Sequence, residues 1–96
     1  MATYQVIFWK NIPSLVEARE GDQTARVSLS QRFQDLIDAV AMRQGATESE
    51  AYLEGWRHGP VCDRPGLPAR VAEAVAAELE ASFEEVLRSA FLTPSL

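Results

Sequence analysis

The residues best suited to chemistry lie together in one short segment. His58 is followed by Cys62, and Asp63 comes directly after it. These side chain types ligate zinc, and a thiol beside a histidine can serve as a nucleophile with its base. A structural zinc site usually takes four ligands, however, and the sequence holds no second Cys or His. Nothing nearby supplies an orienting group or an oxyanion hole. We therefore expect no metal ligands and no catalytic residues in this chain.

Other polar candidates are better explained by structure than by catalysis. Ser28 and Ser30 come just before a helical pattern, where a serine side chain can stabilise the first turn of the helix by capping it. Asp35 and Asp38 are spaced to share one helix face, which is typical of a solvated surface. Residues 55–59 hold two glycines but lack the glycine spacing and the lysine of a phosphate-binding loop. None of these features predicts a reaction.

Composition limits the chain to a few classes. Its 96 residues fit a single domain over 1–96, and an apolar fraction of 47% is ordinary for a globular protein. A formal net charge of -5 argues against sequence-independent nucleic-acid binding. The single cysteine excludes an intramolecular disulfide, and no signal peptide or bilayer-length apolar run is visible. We expect a cytoplasmic protein with no cofactor, no nucleic acid and no membrane association.

Hydrophobic periodicity indicates strands first and helices afterwards. Period-two alternation predicts strands over about 3–9, 14–19 and 24–29, joined by short turns. Period-3.6 spacing predicts helices over about 31–44, 48–55 and 68–89. The prolines and glycines of 57–68 predict irregular structure there. Together these patterns predict an α+β fold: a three-stranded antiparallel meander followed by three helices packed on one face of the sheet.

The first predicted strand is apolar on both faces. Tyr4, Val6 and Phe8 point one way, while Ile7 and Trp9 point the other. Two explanations remain open. Either the strand is central and the loop around residue 56 or the C-terminal tail covers its second face, or that face is an exposed patch for a partner.

Several segments together resemble the bacterial family called the virulence factor domain. They are residues 4–13, 26–34, 37–38 and 52–56, reading YQVIFWKNIP, RVSLSQRFQ, ID and YLEGW. The resemblance covers about residues 3–85. The family includes short stand-alone proteins and C-terminal domains of larger proteins that also carry an iron–sulfur scaffold-type domain and helical repeats. These neighbouring domains imply that the family provides an accessory or interaction module near cofactor or metal metabolism. The resemblance implies no particular reaction.

We therefore expect a non-catalytic accessory or protein-interaction module with a protein partner. Its predicted contact surface contains Trp and Arg side chains, which often anchor interfaces; it comprises Ile7, Trp9, Arg19, Arg26 and Trp56. The alternative is a small subunit or ligand-binding helper of a cofactor- or metal-related enzyme system, with a pocket formed by Tyr52, Trp56 and Arg57. A homodimer also remains open.

Overall fold

The computed structural model describes residues 1–43, 45 and 49–92, apart from the side chains of residues 49, 91 and 92. The chain begins with an antiparallel meander, in which β1 spans Ala2–Trp9, β2 spans Ile12–Glu20 and β3 spans Gln23–Ser28. Helix α1 then spans Gln31–Arg43. The predicted fold class, α+β with an antiparallel meander followed by helices, is confirmed.

A two-residue turn joins β2 to β3. Gly21 takes a φ of +57°, whereas Asp22 does not take a positive φ. A type II′ turn has this pattern, with glycine as its first central residue, and its twist matches that of the flanking strands. The flanking residues Glu20 and Gln23 pair directly, and the register continues without a shift to Ser28.

The sheet is larger than the sequence predicts, because β1 is a central strand. Strand β4 spans Trp56–His58 and β5 spans Cys62–Arg64, and both pair antiparallel with β1 on the edge away from β2. Between them the Gly59 amide donates to the Val6 carbonyl at 2.8 Å. The prediction that residues 57–68 lack regular structure is therefore wrong. The glycine and proline interrupt a strand there without abolishing it.

Three further helices complete the described chain, and they are α2 (Ser49–Glu54), α3 (Pro68–Ala81) and α4 (Phe83–Leu92). Pro68 occupies the first turn of α3, as predicted. The helix predicted over 68–89 is divided at Ser82, whose hydroxyl and amide both donate to the Leu79 carbonyl, at 2.8 and 3.0 Å. A serine hydroxyl competes in this way with the helical hydrogen bonds. The predicted capping box of α2 involves residues 47 and 48, which lie outside the described residues.

Helix α3 lies against β1, β2 and β3, and it buries one face of the sheet. Val16 and Ala18 of β2 are fully buried on this face beside Val71 and Val75 of α3. Glu17 and Arg19 alternate with them in the strand and therefore point to the opposite face. Apolar residues of α1 extend the same core: Phe33, Leu36, Ile37, Val40 and Ala41.

A carboxylate joins the start of α1 to the end of α3. Glu80 accepts hydrogen bonds from the Ser30 amide at 2.6 Å and the Ser30 hydroxyl at 2.8 Å, and Arg32 Nη2 lies 3.0 Å from it. Partial burial raises the pKa of Glu80, but the hydrogen bonds from Ser30 and Arg32 outweigh it and hold the pKa below its ordinary value. Ser28 or Ser30 was predicted to cap α1, and the structure shows the Ser30 hydroxyl donating to Glu80 of α3.

Candidate functional site

Trp9 is fully buried, so it does not belong to an exposed patch. Its indole Nε1 donates to the Tyr52 carbonyl at 2.8 Å, and the Trp9 and Tyr52 ring centroids lie 5.7 Å apart. The Lys10 amide donates to the Gly55 carbonyl at 2.7 Å, which holds the segment after α2 over the indole. The prediction that Trp9 contributes to an exposed contact surface is wrong, because the loop before β4 covers it.

Of the three residues predicted to form a pocket, the structure brings Tyr52 and Trp56 together and places Arg57 apart from them. Trp56 pairs across the sheet with Trp9 and contacts the edge of Tyr52, with ring centroids 5.9 Å apart. Arg57 is the next residue along β4 and therefore points to the other face. Its guanidinium lies 4.5 Å from the Phe8 ring centroid. The sequence places Trp56 and Arg57 side by side, but the pleat of the strand separates them.

Arg57 has a structural role in this arrangement. Its Nε donates to the Lys10 carbonyl at 2.8 Å, and its guanidinium stacks over Phe8. Lys10 takes a φ of +55° in the turn that follows β1. Arg57 therefore fastens this turn to β4 through a charge-assisted hydrogen bond.

The face of the sheet away from α3 carries a half-buried apolar pair and a row of polar side chains. Ile7 of β1 and Leu15 of β2 are directly opposite each other, and His58 of β4 is opposite Ile7 on the other side. Directly opposed residues share a face, so these three side chains lie in one row. Ile7 and Leu15 are half-buried and His58 is exposed. We call this side of the sheet the open face.

Next to the apolar pair, two arginines converge on one glutamate. Arg19 Nη2 lies 2.8 Å from Glu17 Oε1, and Arg26 Nε lies 2.7 Å from Glu17 Oε2. The Glu17 side chain is only 12% exposed, whereas those of Arg19 and Arg26 are 60% and 69% exposed. The hydrogen bonds from Arg19 and then Arg26 outweigh partial burial and hold the pKa of Glu17 below its ordinary value. The cluster therefore keeps one surplus positive charge at the surface.

A cleft of about 300 Å³ adjoins this cluster at the open face. It runs from the middle of β1 to the interrupted edge formed by β4 and β5. Gln5 Nε2 donates to the Gly59 carbonyl at 3.1 Å across one side of it. Its lining is mainly polar: Thr3, Tyr4, Gln5, Glu17, Arg19, His58 and Val61.

His58 and Cys62 are not brought together. His58 lies opposite Ile7, whereas Cys62 lies opposite Tyr4. Successive residues of a strand point to opposite faces, so Ile7 and Tyr4, three positions apart, lie on different faces. Burial, and then the neighbouring Cys62, raises the pKa of Tyr4. Within residues 1–43, 45 and 49–92, no group of three or more His, Cys, Asp or Glu side chains is arranged to hold a metal ion.

The arginines of the first half find different partners. Arg32 pairs with Glu80 of α3. Arg19 and Arg26 instead share Glu17 within the sheet. Glu17 is absent from the predicted contact surface, although its alternation with Val16 and Ala18 puts it on the same face as Arg19. Arg26 shares that face because it is directly opposite Glu17. The alternation along β2 was the available signal.

The chain is a small α+β domain in which α3 covers one face of the sheet. The opposite face is covered over Trp9 and carries exposed side chains farther along, among them His58, Arg19 and Arg26. The family model described as virulence factor matches residues 7–88, which is more than half of the chain. The chain therefore belongs to the virulence factor family. The comparison with curated proteins found no match, and the comparison with solved structures found none either. In the described part of the chain, no helix combines the length and apolar character needed to cross a membrane.

Proposed function

We propose that this protein is a non-catalytic protein-interaction module whose contact surface is the open face of the sheet. The observation that carries the proposal is the combination found on that face: a half-buried apolar pair, Ile7 and Leu15, beside exposed Arg19 and Arg26. Interfaces commonly combine an apolar centre with arginines at its border. Leu15 takes the place of Trp9 in the proposed contact surface. Trp56 is left out of that surface, because it packs against Tyr52 in the covered cluster.

The charges on the open face favour binding to a partner that carries a carboxylate. Glu17 is enclosed by its two arginines, whereas both guanidinium groups remain largely exposed. Arg19 and Arg26 both bind Glu17, so one guanidinium balances its carboxylate and the other is a surplus positive charge. A partner that supplies a carboxylate would bind the surplus guanidinium and exclude water from the pair.

The test compares partners captured from cells that express the protein naturally. Tagged wild type, Ile7→Thr and Leu15→Thr are used as bait, since threonine keeps strand propensity and removes apolar surface. Leu67→Thr is the matched control, because Leu67 is 61% exposed and lies away from the open face, before α3. We expect mass spectrometry to find a partner with wild type and the control, and to lose it with the two open-face variants. Identical partner sets from folded variants would contradict the proposal.

A second candidate function is that of a ligand-binding helper for an enzyme system. The observation that favours it is the polar cleft of about 300 Å³, which Arg19 and His58 line with donors suited to a small anion. Inorganic phosphate and short dicarboxylates are the probes for a thermal-shift assay. A rise in melting temperature that Arg19→Gln removes would support this function, and no shift at millimolar concentrations would contradict it.

A further inference from the structure

The two edges of the sheet differ in how they are protected against pairing with another strand. On one side, β4 and β5 are only three residues each and are interrupted by Gly59 and Pro60. On the other side, β3 is six residues long, contains no proline and keeps its register with β2 throughout. Natural sheets usually blunt an exposed edge with prolines, bulges, very short strands or charged side chains. Of these protections β3 has only the charge of Arg26, and no other described segment pairs with its outer edge.

The register shows which backbone groups of β3 point outward. Residues that flank a two-residue hairpin form a hydrogen-bonded pair, and such pairs alternate along the ladder. Gln23 therefore bonds to β2, as do Ala25 and Val27. The Leu29 amide continues the same alternation by donating to the Ser14 carbonyl at 2.9 Å. The remaining backbone donors and acceptors face away from the sheet, and they belong to Thr24, Arg26 and Ser28.

Side chains on the open face set the charge that an added strand should carry. Arg26 is directly opposite Glu17 of β2, and its other side faces the outer edge of the sheet. Only its Nε atom contacts Glu17, and its side chain is 69% exposed. Opposite charges on directly opposed residues stabilise a sheet, and like charges destabilise it. The residue opposite Arg26 on an added strand should therefore be acidic, which would extend the row as carboxylate, guanidinium, carboxylate.

The other face sets the neighbours of that acidic residue. Ala25 and Val27 point toward α3 and are half-buried at the sheet edge. Residues opposite them on an added strand would point the same way and meet the same apolar border. The added strand should therefore carry apolar residues on both sides of its carboxylate.

We propose that β3 accepts an extended segment of another protein as an additional strand, with a carboxylate opposite Arg26 and apolar residues on either side of it. This inference rests on the proposed function and names the partner's chemistry. A second copy of β3 fits less well. β3 contains no Asp or Glu, so no register that pairs it with its own copy puts a carboxylate of β3 opposite Arg26.

The experiment titrates the ¹⁵N-labelled chain with two blocked heptapeptides, Ser-Thr-Val-Glu-Val-Thr-Ser and the same peptide with Lys in place of Glu. We expect the Glu peptide to shift the amide resonances of Thr24, Arg26 and Ser28 most. It should bind about fivefold more tightly than the Lys peptide, since a favourable cross-strand charge pair replaces an unfavourable one. Arg26→Glu should reverse this preference. Equal binding of both peptides, or no shift of these amides at millimolar concentration, would overturn the inference.

A backbone variant separates strand addition from simple charge attraction. Thr24→Pro removes one outward N–H and leaves the hydrogen bonds to β2 intact, and it should weaken the Glu peptide about fivefold through the lost hydrogen bond. Thr24→Val keeps the N–H and should bind as wild type. Equal affinity of the two variants would overturn strand addition.

Two further outcomes distinguish this inference from the function it rests on. If light scattering finds a dimer that Thr24→Pro dissociates, the edge is occupied by a second copy and the inference is wrong. If the partner captured through Ile7 and Leu15 binds Thr24→Pro and Arg26→Glu normally, the proposed function stands and the strand-addition inference falls.

Discussion

Replacing Gly55 with alanine should displace the buried indole of Trp9. A Cβ atom at residue 55 would lie 2.4 Å from Trp9 Nε1 and 2.6 Å from Cε2, distances that packed atoms do not adopt. The indole has little freedom to move, because it is fully buried and its Nε1 is bound to the Tyr52 carbonyl. Gly55→Ala therefore forces either the ring or the Gly55 backbone out of place.

The expected cost follows from two contributions. Overpacking a filled core costs about 1–3 kcal/mol. Moving the ring also strains or breaks the Nε1 hydrogen bond, and a buried donor without its partner costs about 1–3 kcal/mol more. Allowing for partial relaxation, we expect a loss of about 2–4 kcal/mol in the free energy of unfolding. For a domain of this size, that lowers the melting temperature by about 10–25 °C.

The assay combines urea unfolding with tryptophan fluorescence in a Trp56→Phe background, so that Trp9 is the only tryptophan. We expect Gly55→Ala to lower stability and to shift the Trp9 emission to longer wavelength. Gly21→Ala is the control: it has no atom within 4 Å of the new Cβ but has a φ of +57°. It should cost about 1–2 kcal/mol from backbone strain and leave the emission unchanged. A Gly55→Ala protein within about 0.5 kcal/mol of its parent, with unchanged emission, would refute the reasoning.

Three further predictions concern the packing of the helices and the charged groups. Glu80→Gln should lower the free energy of unfolding by about 1–2 kcal/mol, because it weakens the charge-assisted hydrogen bonds from Ser30, and chemical denaturation would measure this. Since the pKa values of Glu17 and Glu80 lie below their ordinary 4.5 in the folded chain, the unfolded chain binds more protons in that range. Stability should therefore be fully present above about pH 4.5 and fall as the pH is lowered, and Glu80→Gln should make this fall shallower; an identical acid profile for the variant would contradict it. Phe83→Ala should cost about 2 kcal/mol by removing the edge contact with Phe33, whose ring centroid lies 5.0 Å away, and a melting curve that matches wild type would argue against it.

The meander and α1 could be predicted because local patterns determine them. Thr24 to Leu29 alternates between polar and apolar residues, and Gly21 supplies the turn that a two-residue hairpin needs. Phe33, Leu36 and Ile37 repeat with the helical period, and all three are buried. In these segments, sequence neighbours decide the structure.

Elements that depend on distant contacts were missed. Strands β4 and β5 are too short to show a period, and Gly59 and Pro60 obscure them further. They exist because β1 is apolar on both faces and pairs on both edges. Ser82 divides the last predicted helix without interrupting its apolar stripe, so periodicity could not reveal the break.

Three of the residues predicted for the contact surface, Ile7, Arg19 and Arg26, lie together on the open face. Trp9 lies in the core because the segment after α2 folds over it, and local sequence does not show that contact. Arg57 and Trp56 point to opposite faces because β4 is a strand, and three residues are too few for the sequence to show a strand period.

The central position of β1 also has a consequence for the order in which the protein folds. Its pairing with β2 closes a tight turn, whereas the hydrogen bond from Trp9 to Tyr52 joins residues 43 positions apart. Closing the longer loop costs more chain entropy, and this cost is offset only once β4 pairs with β1. We expect mutations in the β1–β2 turn to slow folding, and mutations around Trp56 to speed unfolding with little effect on the folding rate. The indole of Trp9 would then be among the last core side chains to lose contact with water.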